Sequence, residues 1–392
     1  MRYNCGKSLI DRQMSLLSTN QNTDKKTDKT PKPPKSALRE WVDAVVFAVI
    51  VATVFRWFFV EPFTIPTPSM EKSLLVGDYL FVSKMHYGAR TPKTPLQIPL
   101  AANKIWGTDI PSFLRWIQLP QFRLPGFSEV KRNDAVVFNY PPEVDLPTDM
   151  KTYYIKRCIG LPGEEISMVN QQVFINGKAI AAPAESQTSY ALETREVLKE
   201  RVFQGFGITD VDQTGEGYQV HTDSLTAEKL RKAAFTVKLT KQVYERSDAY
   251  SSARFFSQVN GIEKVMLPKF DWSMDNFGPL RIPKKGAVLP IDAMNLSLYE
   301  HVIRYYEGNE DVKLEGGKLS IAGKEVKEYT FKQNYYMMMG DNRHNSADSR
   351  FWGFVPEDHI LGKALFVWLS INPNPSEEES KVRWSRLFSG IN

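Results

Sequence analysis

The longest apolar stretch of the chain, residues 41–60, constrains the fold more than any other feature. It reads WVDAVVFAVIVATVFRWFFV, and its 20 residues, at about 1.5 Å each, would span the roughly 30 Å of a bilayer core. Its charged residues, Asp43 and Arg56, stand within about two turns of the ends, where their side chains can reach the membrane surface. Trp41 and Trp57 suit the two interfaces. The stretch predicts a transmembrane helix, with a buried core helix as the alternative.

The flanks of this stretch argue for an uncleaved anchor with a defined orientation. A cleaved signal peptide would have a shorter leading region and a small-residue cleavage site, and neither is found. Residues 1–40 contain nine Lys or Arg and four Asp or Glu. Because basic residues are retained in the cytoplasm, we expect a cytoplasmic N-terminus, and everything from Glu61 onward outside.

Charge and cysteine content exclude several classes of protein. The net charge is +5 at pH 7, and residues 1–40 account for all of it, so the rest of the chain is balanced. A basic nucleic-acid-binding domain is therefore not expected. Cys5 and Cys158 lie on opposite sides of the predicted span, which excludes a disulfide framework, and they have no metal-binding spacing. We expect Cys158 to be a buried strand residue.

Composition and periodicity divide the chain into five segments. We predict a disordered basic tail (1–40), the anchor (41–60), a β core in two parts (61–180 and 331–392) and an inserted mixed α/β lobe (181–330). The fold class is thus a mainly β core with one inserted lobe and one transmembrane helix. Short β-branched and aromatic runs predict strands at 78–85, 134–141, 153–160, 171–180, 318–323, 329–340 and 362–371.

Three local patterns add detail to this organisation. Asn176-Gly177 predicts a two-residue hairpin turn. Helices are predicted over 226–235 and over 292–308, the second with Asp292 as N-cap. Residues 99–128 are rich in aromatic residues and proline, and we expect no regular helix there. These aromatic side chains have two interpretations, either a core beneath a loop or a rim that touches the outer leaflet.

The stretch IPTPSME, residues 65–71, places Ser69 on a proline-stiffened turn just after the apolar segment. Pro66 and Pro68 restrict φ and are expected to stop the anchor helix. A serine hydroxyl is a weak nucleophile until a base removes its proton. None of the chain's histidines belongs to a recognisable catalytic motif. The stretch is either an exit loop or a nucleophile held above the bilayer.

A lysine in the stretch YYIKRCIGLPGE, residues 153–164, could act as that base. Burial disfavours the charged form of Lys156 and can lower its pKa towards about 7–8. In a strand, Lys156 shares one face with Tyr154 and Cys158, whereas Ile155 and Arg157 point to the other. The alternative is an ordinary solvated strand lysine.

A third stretch, residues 339–358, combines short polar side chains with apolar flanks. Its sequence is MGDNRHNSADSRFWGFVPED. Such a dense set of polar groups between apolar residues indicates a hydrogen-bonded network that orients other groups. A surface loop is the alternative.

Together these stretches resemble the bacterial type I signal peptidases. The family has a proline-rich turn and Ser-Met after an N-terminal anchor, matched by residues 65–70. Its Lys-Arg followed by Gly-x-Pro-Gly is matched by residues 156–163, and its Gly-Asp-Asn-Arg box by residues 340–350. The resemblance covers about 61–180 and 331–372, with the same order, spacing and topology.

The resemblance implies a membrane-bound serine endopeptidase with a Ser-Lys dyad. Ser69 would be the nucleophile and Lys156 the general base, with no metal or cofactor. The Ser69 N–H and the Thr67 hydroxyl would form the oxyanion hole, and Ser346 would orient the amine. Residues implied to support the loop are Asp341, Asp348 and Arg350. Residues implied to line the substrate pockets are Phe63, Ile65, Met70, Leu74, Val137, Tyr154 and Ile155.

The resemblance also implies the partners and the location. The substrates would be exported preproteins with small residues at positions −1 and −3, bound as an added strand. The protein would be a single-pass protein of the inner (plasma) membrane, in contact with the lipid bilayer, with its catalytic domain outside the cytoplasm. No nucleic-acid partner is expected.

Two other functions are compatible with parts of the sequence. Ser69-Met70-Glu71-Lys72 matches the S-x-x-K motif of penicillin-binding proteins and β-lactamases, but their K-T-G element is absent. The chain's S-x-N, at residues 370–372, lies near the end of the chain in an apolar run. A non-catalytic membrane-anchored scaffold is the second alternative, and the intact Ser69 and Lys156 argue against it.

Overall fold

The structure is a computed structural model of the 392-residue chain. It describes residues 36–99, 101, 103–105, 107–247, 270–375 and 380–391. Cys5, Trp106 and most of the predicted basic tail lie outside the described residues. The chain divides into two compact units, Met1–Ile50 and Val51–Asn392.

Five α-helices occur among the described residues. Helix α1, with exposed side chains, is the one that is long and apolar enough to cross a membrane in this part of the chain. The helices are α1 (Ala37–Phe58), α2 (Glu200–Gly205), α3 (Ser224–Arg231), α4 (Ala293–Tyr305) and α5 (Ser349–Trp352).

Strands dominate the rest of the described chain, which confirms the predicted mainly β fold. The first eleven are β1 (Val60–Thr64), β2 (Asp78–Ser83), β3 (Ala135–Asn139), β4 (Tyr153–Gly160), β5 (Glu165–Val169), β6 (Gln172–Ile175), β7 (Lys178–Ala179), β8 (Thr188–Thr194), β9 (Val211–Thr214), β10 (Gly217–Thr222) and β11 (Thr236–Lys241). The others are β12 (Phe277–Arg281), β13 (Val288–Pro290), β14 (Val312–Glu315), β15 (Lys318–Ile321), β16 (Lys324–Glu325), β17 (Glu328–Thr330), β18 (Tyr335–Met339), β19 (Val355–Pro356), β20 (Ile360–Ser370) and β21 (Ser389–Gly390).

The end of α1 differs from the prediction. The helix stops at Phe58, two residues before the predicted boundary, because Val60 already pairs with Ser83 in the antiparallel β1–β2 ladder. Pro66 and Pro68 therefore do not end the helix, since a five-residue strand lies between them and α1. Their effect is on the turn that follows β1.

An antiparallel eight-stranded sheet forms the main body of the second unit. Its order is β1-β2-β20-β3-β4-β18-β19, with β21 paired to β20. The strands predicted at 78–85, 134–141, 153–160 and 362–371 all belong to it. In this sheet Lys156 pairs with Val136 on one side of β4, and the neighbouring Arg157 pairs with Met339 on the other. The sheet thus brings two of the three motif-bearing stretches together.

A second antiparallel sheet, in the order β12-β5-β6-β7, packs with α4. Asn176 and Gly177 connect β6 to β7 with positive φ angles of 50° and 74°, which confirms the predicted hairpin turn. Asp292 caps α4 by accepting a hydrogen bond from the Asn295 N–H, as predicted. The residues of this core come from both sides of position 180, among them Ile166, Ile175, Phe277, Val302 and Tyr329.

Residues 188–241 form a four-stranded sheet in the order β11-β8-β10-β9, with α2, α3 and a core of their own. Helix α3 begins two residues before the predicted 226, because Asp223 accepts a hydrogen bond from the Thr226 N–H and caps it there. The predicted lobe 181–330 therefore contains two parts, one with a separate core and one that shares a core with β5 and β6. The division of the chain at residues 181 and 330 stays a prediction.

The proline-rich segment after β2 has no helix in its described part, as predicted. It is held by isolated bridges such as Arg90 to Arg123 and Gln97 to Phe113. Phe113 is buried, but Trp116, Phe122 and Phe127 are exposed by 83%, 64% and 73%. These exposures disfavour a core beneath the segment for most of its aromatic side chains.

Candidate active site

The turn that carries Ser69 follows β1 directly. Residues Pro68–Met70 form one turn of 3₁₀ helix, and a proline at its start supplies the φ angle that a helical turn needs. Ile65 still hydrogen-bonds to the β2 side of the ladder, through Asp78 O at 2.9 Å. Met70 and Leu74 are buried beneath the turn. The turn is therefore anchored at both ends by the main sheet and its core.

The structure brings Ser69 and Lys156 together. The Nζ atom of Lys156 lies 2.6 Å from the Oγ atom of Ser69 and 3.0 Å from the carbonyl oxygen of Ile155. The hydroxyl of Thr67 is 3.4 Å from Ser69 Oγ. Ser69 and Lys156 are both buried, with 7% and 4% of their surfaces exposed. The distance between amine and hydroxyl is within the range that direct proton transfer requires.

Burial changes the protonation of this amine. Removal from water lowers the pKa of Lys156 to about 8, although the carboxylates of Asp348 and Asp341 act in the opposite direction. At pH 7 roughly one lysine in ten is then neutral, compared with about one in 2500 for a free lysine. The amine can therefore accept the proton of Ser69 near neutral pH.

The loop after β18 also contacts the Ser69 turn. The N–H of Asn342 donates to the carbonyl oxygen of Ser69 at 3.2 Å. A Cβ atom on Gly340 would lie 2.5 Å from that same carbonyl oxygen and 2.3 Å from Oγ of Ser346. Only glycine allows this approach, because real Cβ atoms do not come so close to other heavy atoms.

The predicted polar network consists of two buried ion pairs. Arg157 contacts both carboxylate oxygens of Asp341, with its closest nitrogen at 2.7 Å. Arg350 contacts both oxygens of Asp348 at 2.9 Å and 2.8 Å. Asp348 also accepts from the N–H of Gly340 at 3.0 Å. These carboxylates therefore tie the loop to β4 and to itself.

The protonation of Asp348 follows from this pairing. Burial alone would raise its pKa, but the charge and the hydrogen bonds of Arg350 hold the pKa below its ordinary value. The carboxylate therefore stays ionised at neutral pH, and the ion pair with Arg350 is maintained.

Ser346 lies beside Gly340, close to the Ser69 turn. Its hydroxyl is buried beside Gly340, and no hydrogen bond joins it to Lys156 among the described residues. The orienting function inferred from the resemblance therefore stays a prediction.

An apolar cavity of about 530 Å³ opens beside Ser69 and Lys156. Six of the seven residues predicted to line substrate pockets surround it; they are Phe63, Ile65, Met70, Val137, Tyr154 and Ile155. Leu74, the seventh, packs in the core with Met70 and is not part of the cavity wall. The cavity is also lined by residues that the sequence did not indicate, including Thr152, Tyr153, Asn345 and Ala347.

The lobe formed by residues 188–241 contacts both loops of the site. Asp210 accepts hydrogen bonds from the amides of Asn342 at 2.8 Å and Asn345 at 2.7 Å. Thr209 donates to Glu71 at 2.7 Å. Sequence reasoning missed these contacts, and no local motif around Asp210 could have indicated them.

The S-x-x-K alternative places Lys72 next to the serine, but its amine has other partners. Lys72 forms an ion pair with Asp223 and lies 3.2 Å from the Thr226 hydroxyl. Both partners belong to the start of α3. The amine that contacts Ser69 is that of Lys156, which disfavours the S-x-x-K interpretation.

A buried serine hydroxyl within hydrogen-bonding distance of a buried amine is an arrangement found in serine hydrolases, and the apolar cavity beside it suits an organic substrate. Comparison with known proteins specifies the class. A family model described as signal peptidase, peptidase S26, matches residues 38–229 and 285–369. The chain therefore belongs to this family, and it is a serine endopeptidase that removes signal peptides from preproteins.

Relatives of known function match over most of their length. The chain is similar to signal peptidase I of Buchnera aphidicola subsp. Schizaphis graminum, with 27% identity over 86% of this chain and 77% of the relative. It is 25% identical to signal peptidase I of Haemophilus influenzae over 93% of this chain and 79% of the relative. It is 24% identical to signal peptidase I of Helicobacter pylori over 90% of this chain and 91% of the relative.

Proposed function

We propose that Ser69 is the nucleophile and Lys156 the general base of this peptidase. Neutral Lys156 would take the Ser69 proton while Oγ attacks the scissile carbonyl, and the proton would pass to the leaving amine. Water activated by the same lysine would then hydrolyse the acyl-enzyme. The observation that carries this proposal is the 2.6 Å distance between the two side chains in a buried site.

The stabilising groups follow from their positions around Ser69. The Ser69 N–H and the Thr67 hydroxyl would hold the developing oxyanion, and the 3.4 Å distance of Thr67 Oγ1 from Ser69 Oγ supports this assignment. Ser346 would orient the amine once substrate is bound, since catalytic hydrogen bonds often tighten in the complex. Asp341, Asp348 and Arg350 would keep the loop in place.

The substrate would bind as an added strand along the cavity, with small residues at −1 and −3 directed into its wall. The apolar lining of the cavity supports pockets for small uncharged side chains; it includes Phe63, Ile65, Val137 and Ile155. Leu74 would shape these pockets from behind, through its packing against Met70.

The location would be the inner (plasma) membrane, with α1 as the single transmembrane segment in the lipid bilayer. The nine basic residues before position 41 support a cytoplasmic N-terminus. The segments after the anchor would then form an extracytoplasmic catalytic domain, with residues 61–180 and 331–392 as its core and 181–330 as the inserted lobe.

Cleavage of a preprotein tests the proposed dyad. The full-length protein in detergent would be offered a preprotein with an Ala-x-Ala cleavage site. We expect Ser69→Ala and Lys156→Ala each to abolish cleavage while the unfolding temperature shows a folded protein. Lys104→Ala, at an exposed position, is the matched control and should cleave normally. Cleavage by either dyad variant at the rate of the unmodified protein would refute the assignment.

A further inference from the structure

A second cavity, of about 180 Å³, lies at the C-terminal end of α1. Its walls come from the last turns of α1, the start of β1, the proline-rich segment after β2, residues 149–151, Tyr153 and Leu361 of β20. All of these residues belong to the second unit of the chain. Neither Ser69 nor Lys156 lines this cavity. Tyr153 lines both this cavity and the one beside the proposed dyad.

Positive charge exceeds negative charge in the wall of this cavity. Arg56, Lys84, Arg90 and Lys151 line it, whereas its carboxylates are Glu61 and Asp149. Four cations thus face two anions, and the wall has an excess of two positive charges.

The two carboxylates are already engaged. Glu61 pairs with Arg56 at 2.5 Å and with Lys84 at 2.7 Å. Asp149 accepts from the backbone N–H groups of Lys93 at 2.9 Å and Thr94 at 2.8 Å. Neither carboxylate forms a salt bridge with Arg90 or Lys151.

Arg90 and Lys151 have uncharged acceptors instead of carboxylates among the described residues. Arg90 donates to the carbonyl oxygen of Asp358 and to the amide oxygen of Asn139, both at 2.6 Å. Lys151 donates to Pro141 O at 3.0 Å and lies 2.9 Å from Nε2 of His359. Neither cation forms a salt bridge in this part of the chain, although the carboxylate of Asp358, which lies 2.7 Å from Nδ1 of His359, acts on both charges without a direct contact.

The buried guanidinium group of Arg90 has a donor that its partners in the described part of the chain do not use. Arg90 is 8% exposed, and its Nε is buried without a hydrogen-bond partner among the described residues. Burial lowers the pKa of Arg90 and of Lys84, and it lowers that of Lys151 to about 8. Because burial disfavours the charged forms, an anion that enters the cavity would stabilise them.

We propose that this cavity binds a phosphate group, supplied by the headgroup of an anionic phospholipid. Guanidinium and ammonium groups form charge-assisted hydrogen bonds to phosphate oxygens. Trp57 also lines the cavity, and tryptophan and basic side chains are typical of the depth at which headgroups lie. The lipid as the source rests on the membrane topology proposed above, whereas the phosphate site itself does not.

Native mass spectrometry of the full-length protein in non-ionic detergent tests this site without measuring activity. Phosphatidylglycerol or phosphatidylcholine would be added in parallel, and inorganic phosphate would serve as competitor. We expect one retained phosphatidylglycerol per protein and little phosphatidylcholine. Inorganic phosphate should displace the retained lipid.

Variants that remove single charges distinguish a specific binding site from non-specific electrostatic attraction. Lys151→Gln and Arg56→Gln should each weaken phosphatidylglycerol binding about tenfold, the typical effect of one charge-assisted contact. Arg56 is partly exposed and keeps Glu61 paired with Lys84 when replaced, so this variant should fold if Lys151→Gln does not. Lys104→Gln removes an exposed charge outside the cavity wall and should bind lipid normally.

Each outcome of the binding experiment either supports or overturns the proposed phosphate site. Binding of inorganic phosphate without lipid would support the site and identify free phosphate as the source. Equal retention of phosphatidylcholine, or equal weakening by Lys104→Gln, would overturn it. Binding of neither phosphate source would overturn it as well.

Discussion

The Nζ atom of Lys156 lies 2.6 Å from Oγ of Ser69, although the two residues are 87 positions apart in the chain. Ser69 is positioned by the turn after β1, and Lys156 by the middle of β4. Two independent elements thus have to be placed correctly before the hydroxyl and the amine can meet.

The first prediction is that cleavage depends on the protonation of Lys156. Its pKa of about 8 lies below that of a free lysine because of burial, so the amine is charged and inactive at low pH and becomes neutral as the pH rises. We therefore expect kcat/KM for a peptide substrate to rise about tenfold per pH unit below 7 and to level off above about 9. A profile that stays flat down to pH 5 would rule out a lysine base.

The second prediction concerns Gly340. A methyl group in Gly340→Ala would overlap the Ser69 carbonyl and the Ser346 hydroxyl, so the loop or the Ser69 turn must move. We expect a loss of about 1–3 kcal/mol in the free energy of unfolding and at least a tenfold loss of cleavage, measured by urea unfolding and peptide turnover. Gly205→Ala is the control, because no atom lies within 4 Å of its added methyl group; equal losses in both variants would contradict this explanation.

The third prediction distinguishes the two lysines that could activate Ser69. Lys72 forms an ion pair with Asp223 at the start of α3, so Lys72→Ala should reduce stability slightly and leave most of the cleavage activity. Acyl-enzyme formation with an active-site probe would measure this directly. If Lys72→Ala abolished acylation while Lys156→Ala preserved it, the S-x-x-K mechanism would be correct.

The fourth prediction concerns Asp210, which links the lobe to the rim of the substrate cavity. Asp210→Ala removes the carboxylate that accepts from the amides of Asn342 and Asn345. Asn342 keeps the Pro68 carbonyl as an acceptor at 3.3 Å and Asn345 is exposed, so the loop loses a tether while the loss of stability is small. We expect about a tenfold loss of cleavage with little change in the unfolding temperature. Asp212→Ala, at an exposed position in β9, should be neutral, and an equal effect of both variants would argue for a general effect of charge.

The strands of the main sheet could be predicted because their sequences are short apolar runs bounded by turn residues. YYIKRCIG, for example, has the bounds of β4 as predicted. Strand β1 was missed because VEPFT continues an apolar run and contains a proline. Its pairing with β2 depends on a partner that comes later in the chain, and local pattern carries no information about that pairing.

The resemblance indicated the motif residues, but the sequence did not indicate how the lobe supports them. Asp210 and Asp223 belong to no motif, and their partners Asn342 and Lys72 lie more than 130 positions away. Long-range hydrogen bonds of this kind leave no periodic signal. The pairing of Asp348 with Arg350 was easier to predict from the sequence, because both residues belong to one short motif.

The alternation of Lys156 and Arg157 along β4 has a consequence for the fidelity of folding. Arg157 is directed to Asp341 while Lys156 is directed to Ser69, and a slip of β4 by one residue would place Arg157 or Ile155 opposite Ser69 in place of Lys156. The guanidinium group keeps its proton at any physiological pH and cannot serve as a base. A misregistered protease would therefore be inert, so that a chain that has not reached its native register during synthesis is unable to cut its neighbours.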